Sequence, residues 1–263
     1  MVPGILRAGV FMSKFLAHFG LVLLASSLSQ ATTITFTGTG TGSSSGLPLS
    51  ASLTFEQVAS QLLVTLTNNN PVKVPSDILI AVFFDIQPSL FSGATLNPAF
   101  IYQSAVTAPG SCLTGSTCPP PVDVKSNGEW QFKATAAGLN PGGSGVNQVN
   151  QQFGLSTAGL GIFSTPGGQQ FNYGLANGLA AGSNPTVNGA TLINNSLLVT
   201  FALPVGFDLA TSTISNIRFQ YGTSLDEGSF YGTPSVPEPS TTVLLSSGVL
   251  LVSLLRSRFR TIA

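Results

Sequence analysis

The chain has 263 residues, nine basic and nine acidic side chains, and 7% charged residues, against about 25% in an ordinary soluble protein. A formal net charge of +0 leaves no basic footprint for phosphate binding, so nucleic acid is not an expected partner. The 29 glycines and 17 prolines fall below the density of low-complexity disorder, and 43% hydrophobic residues supply enough apolar surface to fold.

Residues 1–31 have the layout of a secretory signal peptide, with basic Arg7 and Lys14, an apolar run over residues 15–25, and small side chains at Ser29 and Ala31. Cleavage by signal peptidase after Ala31 would leave Thr32 as the new N-terminus. Met12 opens a shorter version of the same signal, so Met1 and Met12 both stand as candidate starts.

Residues 32–235 read as strands. Residues 32–37 alternate threonine with Ile34 and Phe36, and Leu62, Val64 and Leu66 share one face opposite Leu63, Thr65 and Thr67. Residues 78–86 form a nearly continuous apolar run, as a central strand covered on both sides requires. Trp130 and Phe132 alternate with Glu129, Gln131 and Lys133, which places Trp130 in the core rather than on a stacking surface. Further strands are expected at 51–58, 161–164, 170–173, 196–203 and 214–221. The spacing predicts an all-β chain: a single antiparallel β-sandwich or jelly roll.

Asn68-Asn69-Asn70-Pro71 is the strongest turn signal, because Asn tolerates left-handed geometry and Pro ends ladder pairing. Residues 87–124 are rich in proline and predict a long surface excursion, and residues 140–152 predict a second, polar loop. Phe153-Gly154-Leu155 and Tyr173-Gly174-Leu175 echo each other, but two copies fall short of a repeat architecture. Cys112 and Cys118 enclose a short loop, and in an oxidising compartment they predict a structural disulfide.

Chemistry is sparse. The single histidine, His18, lies in the signal segment, which removes Ser-His-Asp and Cys-His mechanisms and histidine-based metal sites from the exported part. No metal site or cofactor is expected. Residues 32–235 hold four basic and eight acidic side chains, a net charge of about −4. Glycoside hydrolysis can run on two carboxylates about 5 to 9 Å apart without histidine. Its candidates are Asp85 at the end of the apolar run and the adjacent Asp226 and Glu227, which read as a loop tip. Asp85 reads more simply as a strand-end acid accepting backbone hydrogen bonds. Tyr102, Tyr173, Tyr221 and Tyr231 are candidate stacking residues for sugars.

Residues 236–263 contain Pro237-Glu238-Pro239, an uncharged apolar stretch over 241–255, and then Arg256, Arg258 and Arg260. Fifteen helical residues span roughly 22 Å at about 1.5 Å each, short of a hydrocarbon core of about 30 Å, so this is a marginal membrane span. The arginines are expected on the cytoplasmic side. In order, these features resemble the PEP-CTERM sorting signal of exported bacterial proteins. The resemblance covers about the last 28 residues and implies recognition by a membrane exosortase, removal of the tail near the motif, and delivery to the cell surface or to biofilm exopolysaccharide. Pro237 and Pro239 hold Glu238 in a stiff extended segment that a protease cleft can read. The expected whole is an N-terminal signal helix, a β body and a C-terminal hydrophobic helix, in a non-catalytic structural or adhesive protein. The alternatives are a carbohydrate-binding module and a secreted glycoside hydrolase.

Overall fold

Thr33–Thr41 reads Thr-Ile-Thr-Phe-Thr-Gly-Thr-Gly-Thr, and this period of two forms the first strand, β1, with Phe36 and Gly38 buried and Thr37 and Thr39 exposed. The computed structural model describes residues 32–72, 77–92, 95–96, 103–108, 122–123, 130–163, 173–177 and 192–235. The expected signal and tail helices, Tyr102 and the Cys112–Cys118 disulfide lie outside these residues. After β1 come β2 (Pro48–Val58), β3 (Gln61–Asn68), β4 (Leu79–Gln87), β5 (Phe91–Ser92), β6 (Thr95–Leu96), β7 (Gln103–Ala108) and β8 (Val122–Asp123). The second half adds β9 (Gln131–Ala134), β10 (Phe153–Ser156), β11 (Leu175–Ala176), β12 (Ile193–Asn194), β13 (Ser196–Ala202), β14 (Thr213–Tyr221), β15 (Ser229–Tyr231) and β16 (Thr233–Ser235).

One sheet runs β16-β1-β2-β3-β13-β7-β8 and is antiparallel at every pairing. The second is built around β4, which takes β14 and then β15 along one edge and β10 and then β9 along the other. β11 joins β4 at Leu79 and carries β12 in a short parallel pairing. The described chain is therefore all-β. It contains a single 3-10 turn, Gly145–Asn147, and among the described residues no helix is long and apolar enough to cross a membrane.

The sheets pack face to face through their alternating apolar residues. Phe55 of β2 meets Phe84 of β4 edge-on at 5.3 Å between centroids, and Phe132 of β9 meets Phe201 of β13 at 4.9 Å. Phe55, Phe84 and Phe201 are fully buried, each stabilising the fold by about 1.5–3 kcal/mol, and Phe132 is partly buried. β4 is covered on both sides, as its apolar run predicts. Val82, Phe84 and Ile86 enter the intersheet core, while Ile80, Ala81 and Phe83 pack under Leu139, Val149 and Phe163. A bulge in the β4–β14 register between Leu79 and Ala81 turns Ile80 and Ala81 to the same outer side.

Three expectations change. Residues 161–163 of the expected 161–164 strand are not a strand, and residue 164 lies outside the described set: Leu160 and Gly161 take positive φ in a turn, and Ile162 and Phe163 are buried as a cover over β4 rather than paired in a ladder. Tyr173 of the expected 170–173 strand also has positive φ and sits in a turn, and residues 170–172 lie outside the described set. Residues 87–124 are not loop throughout, since they contribute β5 and β6 as a hairpin and β7 and β8 to the first sheet. β3 ends at Asn68, where the Asn-Asn-Asn-Pro signal puts it, and Asn70 N donates to Asn68 Oδ1 at 3.1 Å.

Candidate functional site

β14 begins as an ordinary amphipathic strand, and its side-chain alternation is reset by one extra residue. Asn216 has φ of 57°, a left-handed geometry that Asn tolerates better than most residues, and the pairing with β4 shifts between Ser215 and Arg218. Ile214 and Ile217 both reach the intersheet core as a result, and Arg218 falls on the outer face beside Phe83. Across the β14–β15 ladder Arg218 is opposite Tyr231 and Gln220 is opposite Ser229, while Phe219 and Phe230 pair on the inner side.

The polar loop over residues 140–152 folds onto that outer face. Asn140 and Val149 form an isolated bridge, and Asn140 Nδ2 donates to Asn147 O at 2.8 Å. Asn147 Nδ2 in turn donates to Asp226 Oδ1 at 2.9 Å, tying the loop to the β14–β15 turn. Between loop and ladder lies a pocket of about 240 Å³, walled by Val146, Gln148 and Gln151 from the loop, Asn216 and Arg218 from β14, and Tyr231 from β15. No carboxylate is among its lining residues.

Arg218 is 3% exposed. Its Nη2 donates to Val146 O at 2.8 Å and Gln220 Oε1 at 3.2 Å, its Nη1 donates to Gln148 O at 3.1 Å, and the guanidinium lies 6.0 Å from the Phe83 ring centroid. These acceptors are neutral dipoles, and among the described residues neither a carboxylate nor any acceptor for its Nε–H is present. Burial lowers its pKa from the ordinary arginine value, with neighbouring Tyr231 acting in the opposite sense, and leaves it a cation. Gln151, 2% exposed, donates Nε2 to Asn216 O at 3.1 Å, and its Oε1 accepts from no described residue. Donation to a carbonyl fixes which way this amide points.

The carboxylates proposed for hydrolysis are engaged elsewhere. Asp85 accepts from Gln152 N at 2.7 Å and Asn216 Nδ2 at 3.0 Å, the strand-end role expected of it. Glu227 caps its own turn through Thr223 N at 2.7 Å. Among the described residues no three His, Cys, Asp or Glu side chains group to hold a metal. Trp130 is buried and donates Nε1 to Tyr173 O at 2.8 Å, so it serves the core. Tyr221 is also buried, its hydroxyl within 3.2 Å of Ser50 O, Asn68 Oδ1 and Asn70 Oδ1, which joins the two sheets at one end. Burial first, and the Asp77 charge second, push this phenol well above the ordinary tyrosine range. Of the candidate stacking residues in the described set, Tyr231 is exposed, at 62%.

Pro237, Glu238, Pro239, Arg256, Arg258, Arg260, Cys112 and Cys118 lie outside the described residues. Arg218, Gln151 and Asn216 were not singled out by pattern. The available signal was a lone basic residue inside the apolar 214–221 strand, followed by Tyr231 on the next.

Fold and site together define an antiparallel, sandwich-like all-β protein with a cationic, amide-walled pocket on the outer face of one sheet. Compared with known protein families, curated proteins and solved structures, the chain matches none.

Proposed function

We propose that this chain is an exported, exosortase-sorted protein of the cell surface or extracellular matrix, with a non-catalytic structural or adhesive role in association with exopolysaccharide. The observation that carries the reading is the order of features at the chain's end. β16 pairs with β1 up to Ser235 opposite Thr35, and Pro237-Glu238-Pro239, the apolar stretch and the three arginines follow directly. In this reading residues 1–31 are a signal helix removed by signal peptidase, and residues 241–255 are a transient inner-membrane helix. The absence of histidine from residues 32–263 supports a binding rather than a catalytic role.

A carbohydrate-binding role for the β body is favoured by the pocket beneath Tyr231, where an exposed aromatic ring stands beside the amides of Gln148 and Gln151. Such a ring offers an apolar face next to polar groups, which suits a sugar. The sorting part is tested with Glu238→Gln, which removes the tripeptide's single charge. Surface display should fall while the melting temperature of the β body stays unchanged, and normal display would count against the motif as a recognition element.

A further inference from the structure

We infer that the Arg218 pocket binds an acidic sugar, a pyranose of hexuronate type, with its carboxylate on the Arg218 guanidinium and its hydroxyls on the surrounding amides. The inference deepens the saccharide-binding reading and rests on it.

Charge comes first. Arg218 is a cation at 3% exposure whose partners are backbone and side-chain amide oxygens. Dipoles solvate a guanidinium but do not neutralise it, so the wall carries net positive charge in a poorly hydrated place. Asp85 and Asp226, the carboxylates beside the pocket's neighbours, are held by Asn216 and Asn147 and not by Arg218. An anion entering the pocket therefore meets a preformed site whose desolvation has occurred on folding.

Hydrogen-bond demand narrows the anion. Among the described residues Arg218 Nε–H has no acceptor and Gln151 Oε1 no donor; both residues line the same pocket and neither atom is sealed from solvent, so both are open to what enters it. A fully deprotonated inorganic anion such as sulfate answers the donor and leaves the acceptor unanswered. A ligand with a carboxylate and a hydroxyl answers both.

Shape narrows it further. A pocket of about 240 Å³ lies below the range of drug-sized sites and suits one ring. Tyr231 and Val146, exposed at 62% and 53%, stand at this pocket and offer an apolar surface for the C–H face of a pyranose. An acidic peptide brings the same carboxylate, but acidic motifs are read by clusters of arginines, and Arg218 is the one basic residue in the lining. This pocket is walled by Gln148, Gln151 and Asn216.

The test titrates the full-length protein, in mild detergent, with a galacturonate trisaccharide, with maltotriose and with an aspartate-rich peptide, by isothermal calorimetry. The galacturonate trisaccharide should bind at least about tenfold more tightly than either of the others. Gln151→Glu, which places a competing carboxylate in the pocket, should weaken it by at least about tenfold and maltotriose by much less. Tyr231→Ala changes an exposed side chain, keeps the test alive should the buried variant misfold, and should weaken both sugars by about three- to tenfold. Equal binding of the two sugars, equal binding of the peptide, or full binding by both variants would overturn the acidic-sugar site while leaving saccharide association standing. Binding of neither sugar would overturn both.

Discussion

Gly40 of β1 lies opposite Leu49 of β2 and beneath the ring of Phe230. A Cβ at this position would stand 2.3 Å from Phe230 Cδ1, 2.9 Å from Cγ and 3.2 Å from Cβ. Carbon atoms settle at about 3.5–4.0 Å, so Gly40→Ala must drive the ring back by more than about 1 Å. Retreat is obstructed: the Phe219 and Tyr221 rings lie 5.6 and 5.8 Å away by centroid, and the Tyr221 hydroxyl is anchored on Ser50 O. Overpacking of this kind costs about 1–3 kcal/mol, more than the roughly 0.5–1 kcal/mol that alanine regains over glycine in a strand. Taking a net cost of about 1–2 kcal/mol, the melting temperature should fall by roughly 2–8 °C. Gly142→Ala is the control, because its added methyl meets nothing within 4 Å, and its stability should stay within about 0.5 kcal/mol of the parent. Thermal melting followed by circular dichroism on the purified full-length chain measures both. A Gly40→Ala protein melting at or above the parent temperature would refute the packing argument. Ser229 and Tyr231 flank Phe230 on β15, so the same displacement reaches the pocket wall.

Arg218→Met should destabilise the protein by about 1–2 kcal/mol, since Val146 O, Gln148 O and Gln220 Oε1 lose a charged donor while the cost of burying the charge disappears. Hydrogen exchange should accelerate first at residues 140–149, and uniform acceleration across both sheets would contradict the loop-tethering role. Tyr221→Phe should cost about 1 kcal/mol near neutral pH through the lost hydroxyl contacts. The folded phenol titrates well above the ordinary value of 10.0, so its stabilisation is complete below pH of about 10 and is lost as pH rises toward the folded value. The stability gap between parent and Tyr221→Phe, measured by urea melts from neutral to alkaline pH, should therefore narrow above about pH 10. A gap that widens would show the sign to be wrong.

Period-two patterning made the sheets legible where one face is apolar and the other is not. Leu62, Val64 and Leu66 against Thr65 and Thr67 locate β3, and the unbroken run before Asp85 locates β4 as the doubly covered strand. The same rule failed over residues 161–163, because Ile162 and Phe163 are buried without ladder partners, and burial alone does not distinguish a cover from a strand. β10 was legible only as an echo, since Gly154 interrupts its pattern. That glycine is explained by three dimensions, in which a Cβ would stand 2.7 Å from Leu139 Cδ1 and 2.9 Å from Phe83 Cδ1. The pocket was hidden for a related reason. Arg218 reaches it only because Asn216 adds a residue to β14, and Gln151 belongs to a loop 67 positions earlier whose polarity read as solvent exposure. Topology, not local pattern, brings the two together.

The central claim is that the two ends are addresses and the β body between them is the delivered product. Intact-mass analysis of the protein recovered separately from the cytoplasm, the envelope and the medium tests it most directly. The account predicts that the envelope or medium species begins at Thr32 and ends near the Pro237-Glu238-Pro239 motif, without the arginine cluster. Accumulation of the full 263-residue chain in the cytoplasm, with no trimmed species outside it, would contradict the account.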